Sequence, residues 1–349
     1  MSAIATIDLD VFRSNLRLLG RLAAPTPVMA MLKADAYGHG MPQLAAPALE
    51  AGASWLGVLE ISAGLRLRDA GIEAPLFAWL HGSGADFAAA ARRRIDVGIS
   101  TVDELYAAVA SRPPSPLQVH LKIDTGLHRN GATRGDWPAL LDAALAAERD
   151  GAVHIRAIWS HLADASVADD EQALARFHEA IAVAAARGIR PELIHLAASS
   201  AGIRMPAARF DIVRFGIAAY GVSPFDDRSP EDIGVVPPMT LATVVTDTDG
   251  STVRIAAGWA DGLPSKAATQ ASVWVRGRRH RLRAIDVDSS IVDDAHDLRT
   301  GDPVILFGPG LQGEPTPTDW ANWGDTIGDE ILTGIPVRVP RRYVETAAG

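Results

Sequence analysis

The sequence predicts an α/β protein: an N-terminal (β/α)8 TIM-like barrel followed by a smaller, mostly antiparallel C-terminal β domain. Three observations carry this expectation. Short apolar runs alternate with Ala-, Leu- and Arg-rich helical segments across residues 28–218. Those runs are continuously apolar, as strands buried on both faces of a parallel sheet must be. After a Ser-, Pro- and Asp-rich stretch at 223–238, the pattern changes to alternating segments with hairpin turns and few helix signals.

Taken in order, residues 3–9 alternate weakly and suit a strand, with Asp10 as the expected N-cap of the helix that follows. Strands are then expected at 28–32, 55–59, 76–79, 95–99, 117–123, 155–160, 193–196 and 212–218. Helical patterns lie between them at 41–51, 61–70, 102–110, 139–147 and 170–187. Eight strand–helix units at this spacing favour a closed barrel over an open doubly wound sheet. No G-x-G-x-x-G follows any strand, which weakens a dinucleotide-binding alternative. Beyond the boundary, strands are expected at 240–246, 253–256, 271–275, 282–287 and 304–307, with Asp249-Gly250 as a turn. The domains are therefore expected at 1–225 and 226–349, and the first ten residues or so are candidates to pair with the β domain.

Bulk properties exclude several classes of function. The length, 349 residues, suits two domains. Net charge is −9, and the only basic cluster, 276–283, reads as a hairpin with a solvated face. Neither nucleic acid nor an anionic membrane is expected as a partner. There is no cysteine, which removes disulfides, thiol catalysis and Cys-based metal sites, and no metal site is expected. No apolar run approaches the roughly 20 residues of a membrane span, and acids at Asp8 and Asp10 argue against a signal peptide. A soluble cytoplasmic protein is expected.

In a barrel of this kind chemistry collects at the carboxyl ends of the strands. The first run, 28–32, ends at Lys33, where an amine is held still and partly desolvated, conditions that favour a nucleophile. The chain has three lysines (Lys33, Lys122 and Lys266) against thirty arginines, so a retained lysine does something arginine cannot. Other strand ends carry Lys122 with Arg129 downstream, Ser160-His161, Ser199-Ser200, and Arg214 with Gly216. Ser199, Ser200 and the Gly216-Ile217 backbone suit a phosphate cradle. Singly, His161 reads as an ordinary strand-end histidine, the serine pair as an N-cap and Arg214 as a salt-bridge partner. Placed together they supply what a lysine-linked phosphorylated cofactor needs.

Residues 33–40, KADAYGHG, closely resemble the pyridoxal-phosphate (PLP) lysine signature of the bacterial alanine racemases. The blocks HLKIDTGLHRNG, WSHLADA, ASSAGIRM, VRFGIAAYGVSP, GWADG, IDVDSSIVD and TGIPVRVPRRY resemble that family's remaining blocks, in its order and over nearly the whole chain. The resemblance implies a PLP-dependent isomerase interconverting L- and D-alanine, or a related small amino acid. It also implies a head-to-tail homodimer whose active sites are completed by the partner's β domain. Lys33 would carry the cofactor as a Schiff base and act as one catalytic base. Tyr37, Ser199, Ser200, Gly216 and Ile217 would hold the phosphate. Arg214 would face the pyridine nitrogen, keeping it unprotonated, with His161 beside it. Arg129 would meet the phenolic oxygen and the substrate carboxylate, held by Lys122, which in the family can be carbamylated. Asp288 and Val287 would come from the partner subunit.

The sequence departs from the family in one respect that bears on mechanism. Two-base racemisation needs an acid/base on each face of the carbanion, and the family's second is a tyrosine from the partner. The segment that bears it lies between the blocks matching 239–245 and 258–262, where only residues 246–257 remain here. The four tyrosines are Tyr37, Tyr106, Tyr220 and Tyr343, so none lies between 221 and 342. Trp259 replaces the tyrosine of a GYADG block, and Asp329 stands where a tyrosine is common. Asp261, Lys266 and His280 are weak candidates for a substitute. Three readings follow: a racemase with a substitute acid/base or water, a single-face PLP enzyme (lyase, decarboxylase or half-transaminase), or a non-catalytic PLP-binding homologue.

Overall fold

The computed structural model describes residues 3–345, which cluster into two units. One comprises Leu19–Lys33 and Ala48–Gly216. The other comprises the chain up to Leu18, Ala34–Pro47 and everything from Ile217 onward.

Strand β1, Ile4–Asp8, belongs to the second unit. The helix after it, Leu9–Ala23, is capped by Asp8 rather than by the expected Asp10. The Asp8 carboxylate accepts the N–H groups of Asp10 and Val11 at 2.9 and 3.1 Å, satisfying two orphan donors of the first turn.

The first unit is the barrel. Its strands are β2 (Val28–Met31), β3 (Trp55–Val58), β4 (Leu76–Ala78), β5 (Ile95–Ile99), β6 (Leu117–Lys122), β7 (Val153–Trp159), β8 (Leu193–His195) and β9 (Val213–Phe215). Their order is β8-β7-β6-β5-β4-β3-β2-β9, and every pair is parallel. Asp211 N–H donates to Ile194 O at 3.0 Å and Arg214 N–H to Ala197 O at 3.1 Å, which brings β9 back to β8. The interior is packed, not hollow, with Met29, Met31, Trp55, Phe77, Trp159 and Ile212 forming one cluster. The expected strand 212–218 is shorter in the molecule, because Ile217–Tyr220 turns into a 3-10 helix. The helix expected from 170 begins at Val167, where the Ser166 hydroxyl accepts the Asp169 N–H.

The second unit adds β10 (Met239–Asp249), β11 (Thr252–Ile255), β12 (Ser272–Val275), β13 (Arg278–Ile285), β14 (Ser290–Val292), β15 (Pro303–Phe307) and β16 (Arg341–Val344). Their order is β11-β14-β13-β12-β15-β10-β1-β16, antiparallel except that β1 and β16 run parallel. A bulge between Val245 and Asp247 lets the long β10 pair with β1 and β15 at one end and with β11 at the other. The basic run 276–283 is a hairpin, turning on Arg276 and Gly277 at φ 47° and 82°. Its arginines are occupied: Arg278 pairs with Asp297, Arg279 with Asp319 and Arg283 with Asp293. Two helices, Pro317–Gly324 and Gly328–Thr333, lie where few helix signals were expected. The first is set by a capping box, Thr316 with Asp319, and Pro317 in its first turn.

Gly221, at φ +75°, sits where a Cβ would lie 2.1 Å from Pro237 N and 2.2 Å from Val236 C. Both the turn and the close approach require glycine. Gly221→Ala is expected to cost about 3 kcal/mol or more of stability. Equilibrium denaturation checks this, and an unchanged midpoint would refute it.

Candidate active site

In the barrel unit Lys33 follows β2 by two residues, and Leu32 N–H is still tied to Gly57 O at 2.7 Å. This anchors the backbone immediately before the lysine. His161 follows β7 by two residues, Ser199 and Ser200 follow β8, and Arg214 lies within β9. Lys122 ends β6, and Arg129 sits, exposed, in the loop beyond it. The predicted barrel residues thus lie at or near the carboxyl ends of their strands, with Arg214 set deeper.

Arg214 is buried, and its guanidinium donates to Ser160 O, Leu196 O and His195 Nδ1 at 2.9 Å each and to His161 Nδ1 at 3.1 Å. A guanidinium has no acceptor, so both imidazoles present lone pairs to it. Burial pulls Arg214 down to about 9, which leaves it charged at neutral pH. Burial, and then the charges of Arg214, Arg129, Lys122 and Lys33, hold His161 well below the usual histidine range. His161 is therefore neutral, with four basic side chains near enough to act on it. This concentration of positive charge suits a ligand with several anionic groups.

Lys122 is buried beside Trp159, its Nζ 4.4 Å from the ring centroid, and burial with the Arg214 and Arg129 charges lowers it to about 7. It bonds Asn130 Oδ1 rather than reaching Arg129. Two cations repel, so Lys122 as a plain ammonium is a poor support for Arg129. The shift has a sign: between about 7 and the ordinary 10.5 the unfolded chain binds a proton that the folded chain does not. Stability relative to Lys122→Met is therefore expected to rise with pH across that window, by at most about 1.4 kcal/mol per pH unit. Denaturation in CO2-free buffer at pH 7 and 9 checks this; a flat difference would refute it.

The serines differ. Ser199 is buried and accepts the Gly216 N–H at 3.2 Å, while Ser200 donates to Asp164 at 2.7 Å. Their helix, Ser199–Arg204, has only six residues, so its dipole is small and anion binding falls to hydroxyls and N–H groups.

Tyr37, Ile217, Val287 and Asp288 belong to the other unit. Residues Ala34–Tyr37 form a left-handed turn, with φ of 51°, 54°, 55° and 50°. Such a turn costs non-glycine residues roughly 1–2 kcal/mol each. It is held by Gly38 N–H to Ala34 O and Gly40 N–H to Asp35 O, both 2.9 Å, and by Met41 N–H to the Asp35 carboxylate at 2.8 Å. Strain compensated by this many bonds marks a functional segment. Tyr37 is buried with its ring centroid 4.6 Å from that of Tyr220, and burial and Asp329 raise its pKa, so it is a neutral phenol. Val287 and Asp288 are exposed in the β13–β14 connection. Trp259 is exposed beside them, the N–H groups of Trp259 and Ala260 donating to the carbonyls of Asp286 and Val287.

The weak candidates for a second acid/base all have structural work. Asp261 caps Gly258 N–H and pairs with Arg338 at 2.8 Å. Lys266 pairs with Asp325. His280 faces inward on β13 with Nδ1 against Asp294 O. Sequence reading also missed polar residues inside the barrel, Asp96, His120 and His195; the available signal was a polar residue interrupting each of three apolar strands. Among the described residues no group of three or more His, Asp or Glu is placed to hold a metal, and no helix is long and apolar enough to cross a membrane.

A barrel that presents a lysine amine among clustered cations is built for a phosphorylated carbonyl cofactor, which puts this one in the class of pyridoxal-phosphate enzymes. Residues 7–224 match the family described as "Alanine racemase, N-terminal domain" and residues 241–343 the one described as "Alanine racemase, C-terminal domain". The alanine racemase of Frankia casuarinae is 39% identical over 371 residues, covering 99% of this chain and 97% of its own. That of Thermobifida fusca is 40% identical over 368 residues, covering 98% of each. The crystal structure of alanine racemase from D-cycloserine-producing Streptomyces lavendulae superposes with a TM-score of 0.95 at 36% identity, over 99% of this chain and 98% of that one. With both halves matched, the chain belongs to the alanine racemase family.

Proposed function

We propose that this protein interconverts L- and D-alanine in a PLP-dependent racemisation, as a cytoplasmic head-to-tail homodimer with functional domains at 1–225 and 226–349. The observation that carries the reading is the cation cluster around His161 in a chain whose whole length matches alanine racemases. Bound pyridoxal phosphate supplies the electron sink for charge developing at the α-carbon. The donor set of the barrel unit suits it: Lys33 for the carbonyl carbon, Ser199, Ser200 and the Gly216 backbone for the phosphate, to which the family resemblance adds Tyr37 and Ile217.

In this reading Lys33 Nζ would serve one face only, taking the α-proton of one enantiomer and delivering the proton that forms it in the reverse direction, while the opposite face exchanges its proton with another group. Arg214 would face the pyridine nitrogen of the bound cofactor as a donor that does not surrender its proton, which would keep the sink weak and limit side reactions. His161 packs beside it. Arg129 holds the substrate carboxylate. Lys122, with a substantial neutral fraction near pH 7, adds CO2 and releases a proton, and the resulting carbamate holds Arg129 in place. Val287 and Asp288 are supplied by the partner subunit.

The opposite face is where this chain departs from its family. The match to the Frankia casuarinae relative runs over 371 positions against 349 residues here, so the alignment opens gaps in this chain. Residues 246–257 are taken up by the end of β10, a tight turn and β11. Both support loss of the tyrosine-bearing segment, leaving water or another group to serve the second face.

The test is L-alanine with the PLP-loaded protein in D2O, following α-proton exchange and enantiomer content together. Exchange with appearance of D-alanine is expected. Exchange with full retention of the L configuration would overturn racemisation in favour of single-face chemistry.

A further inference from the structure

We propose that Asp96 is a positioning residue for Arg214, acting along the barrel interior through a one-directional chain of two neutral histidines, His120 and His195. The inference rests on the reading of Arg214 as the group facing the cofactor. Asp96 is the second residue of β5, at the end of the barrel opposite Lys33. The links are Arg214 Nη1 to His195 Nδ1 at 2.9 Å, His195 Nε2 to His120 Nδ1 at 3.0 Å, and His120 Nε2 to Asp96 Oδ2 at 3.0 Å.

Only one arrangement of protons satisfies every link. Arg214 can only donate, so His195 Nδ1 is a lone pair and its proton is on Nε2. That proton makes His120 Nδ1 an acceptor, which puts the His120 proton on Nε2, aimed at the Asp96 carboxylate. Reversing the chain would point an N–H at a guanidinium. Both rings are fully buried, and burial holds both below the usual histidine pKa, so neither is a cation.

The ring planes are fixed as well. His120 stacks on Phe77 at 4.3 Å between centroids and His195 on Trp159 at 5.5 Å. Arg214's hydrogen-bond partners are two carbonyls and two neutral imidazoles, all uncharged. Asp96 therefore ends the hydrogen-bonded chain as the acceptor that fixes the His120 tautomer, and through it the orientation of His195 toward Arg214. The alternative is a plain ion pair with Arg156, which lies 3.2 Å from Asp96 but also has Glu192 at 3.4 Å.

The test uses the full chain with 15N-labelled histidine, with and without PLP, and PLP titration. In the wild type both rings are expected to be neutral with the proton on Nε2, whether or not PLP is bound. Asp96→Asn keeps a carbonyl oxygen for His120 and is expected to preserve both tautomers and PLP affinity within about threefold. Asp96→Leu is expected to scramble the His120 tautomer and weaken PLP binding about tenfold. Arg156→Leu, which removes the ion pair and keeps the Asp96 carboxylate, should leave both tautomers unchanged. A wild-type His120 or His195 that is cationic or protonated on Nδ1 overturns the proposal without any variant having to fold. So does Asp96→Leu with unaltered His195 signals and PLP affinity. A wild type with the expected tautomers that binds no PLP would instead overturn the PLP reading of Arg214 and leave the chain of tautomers standing.

Discussion

Lys33→Ala is expected to lower alanine racemisation by at least about 10^4-fold. Two contributions are lost together. One positioned acid/base is typically worth about 10²–10⁴ in rate. Covalent attachment, which fixes the reacting carbon relative to the protein, is lost with it. Lys33→Arg should be nearly as inactive, because it keeps the charge but not a nucleophilic amine, and arginine does not deprotonate in proteins. Chiral chromatography of the product reads the rate, and the visible absorbance of the lysine-linked cofactor reads the attachment. Activity of either variant within tenfold of wild type would overturn the role of Lys33. The other lysine of the barrel unit, Lys122, is held by Asn130 and the Trp159 ring.

Much of this was legible in the sequence because barrel strands leave a plain signal. Val28–Met31, Trp55–Val58 and Leu76–Ala78 are buried on both faces, and their residues are all apolar or glycine. Lys33 stands out in the sequence for a different reason, the scarcity of lysine. Three things were hidden. The left-handed turn at Ala34–Tyr37 uses ordinary residues that give no hint of positive φ. Strands β14 and β16 are three and four residues long, too short for a period to show, and β16 exists because β1 offers it a parallel edge. The interior chain from Asp96 to Arg214 depends on which residues of four different strands meet inside the barrel, which no local pattern encodes. The helix Pro317–Gly324 was different: its Thr316–Asp319 capping box is a local signal present in the sequence.

Arg214→Leu is expected to cost about 4 kcal/mol of stability. The guanidinium satisfies four acceptors: the carbonyls of Ser160 and Leu196 and the Nδ1 atoms of His195 and His161. Each buried acceptor left without a donor costs roughly 1–3 kcal/mol, partly offset because a buried cation no longer has to be desolvated. Arg214→Lys should lose less, since an ammonium keeps charge and three donors but cannot span the same fork. The pH dependence separates this account from simple loss of volume. Burial first, and then the Arg214 charge, lower the pKa of both His161 and His195, which are neutral in the folded chain. In the wild type these histidines bind protons more readily when unfolded, so stability is lost as pH falls below the ordinary histidine value of about 6.5. Without the guanidinium both rings protonate more easily in the folded state, and the acid loss should become shallower. Urea denaturation at pH 7.5 and 5.5 reads both effects. A cost below about 1 kcal/mol would show that the four acceptors find other donors, and an unchanged pH slope would show that Arg214 does not control the charge of its two histidines.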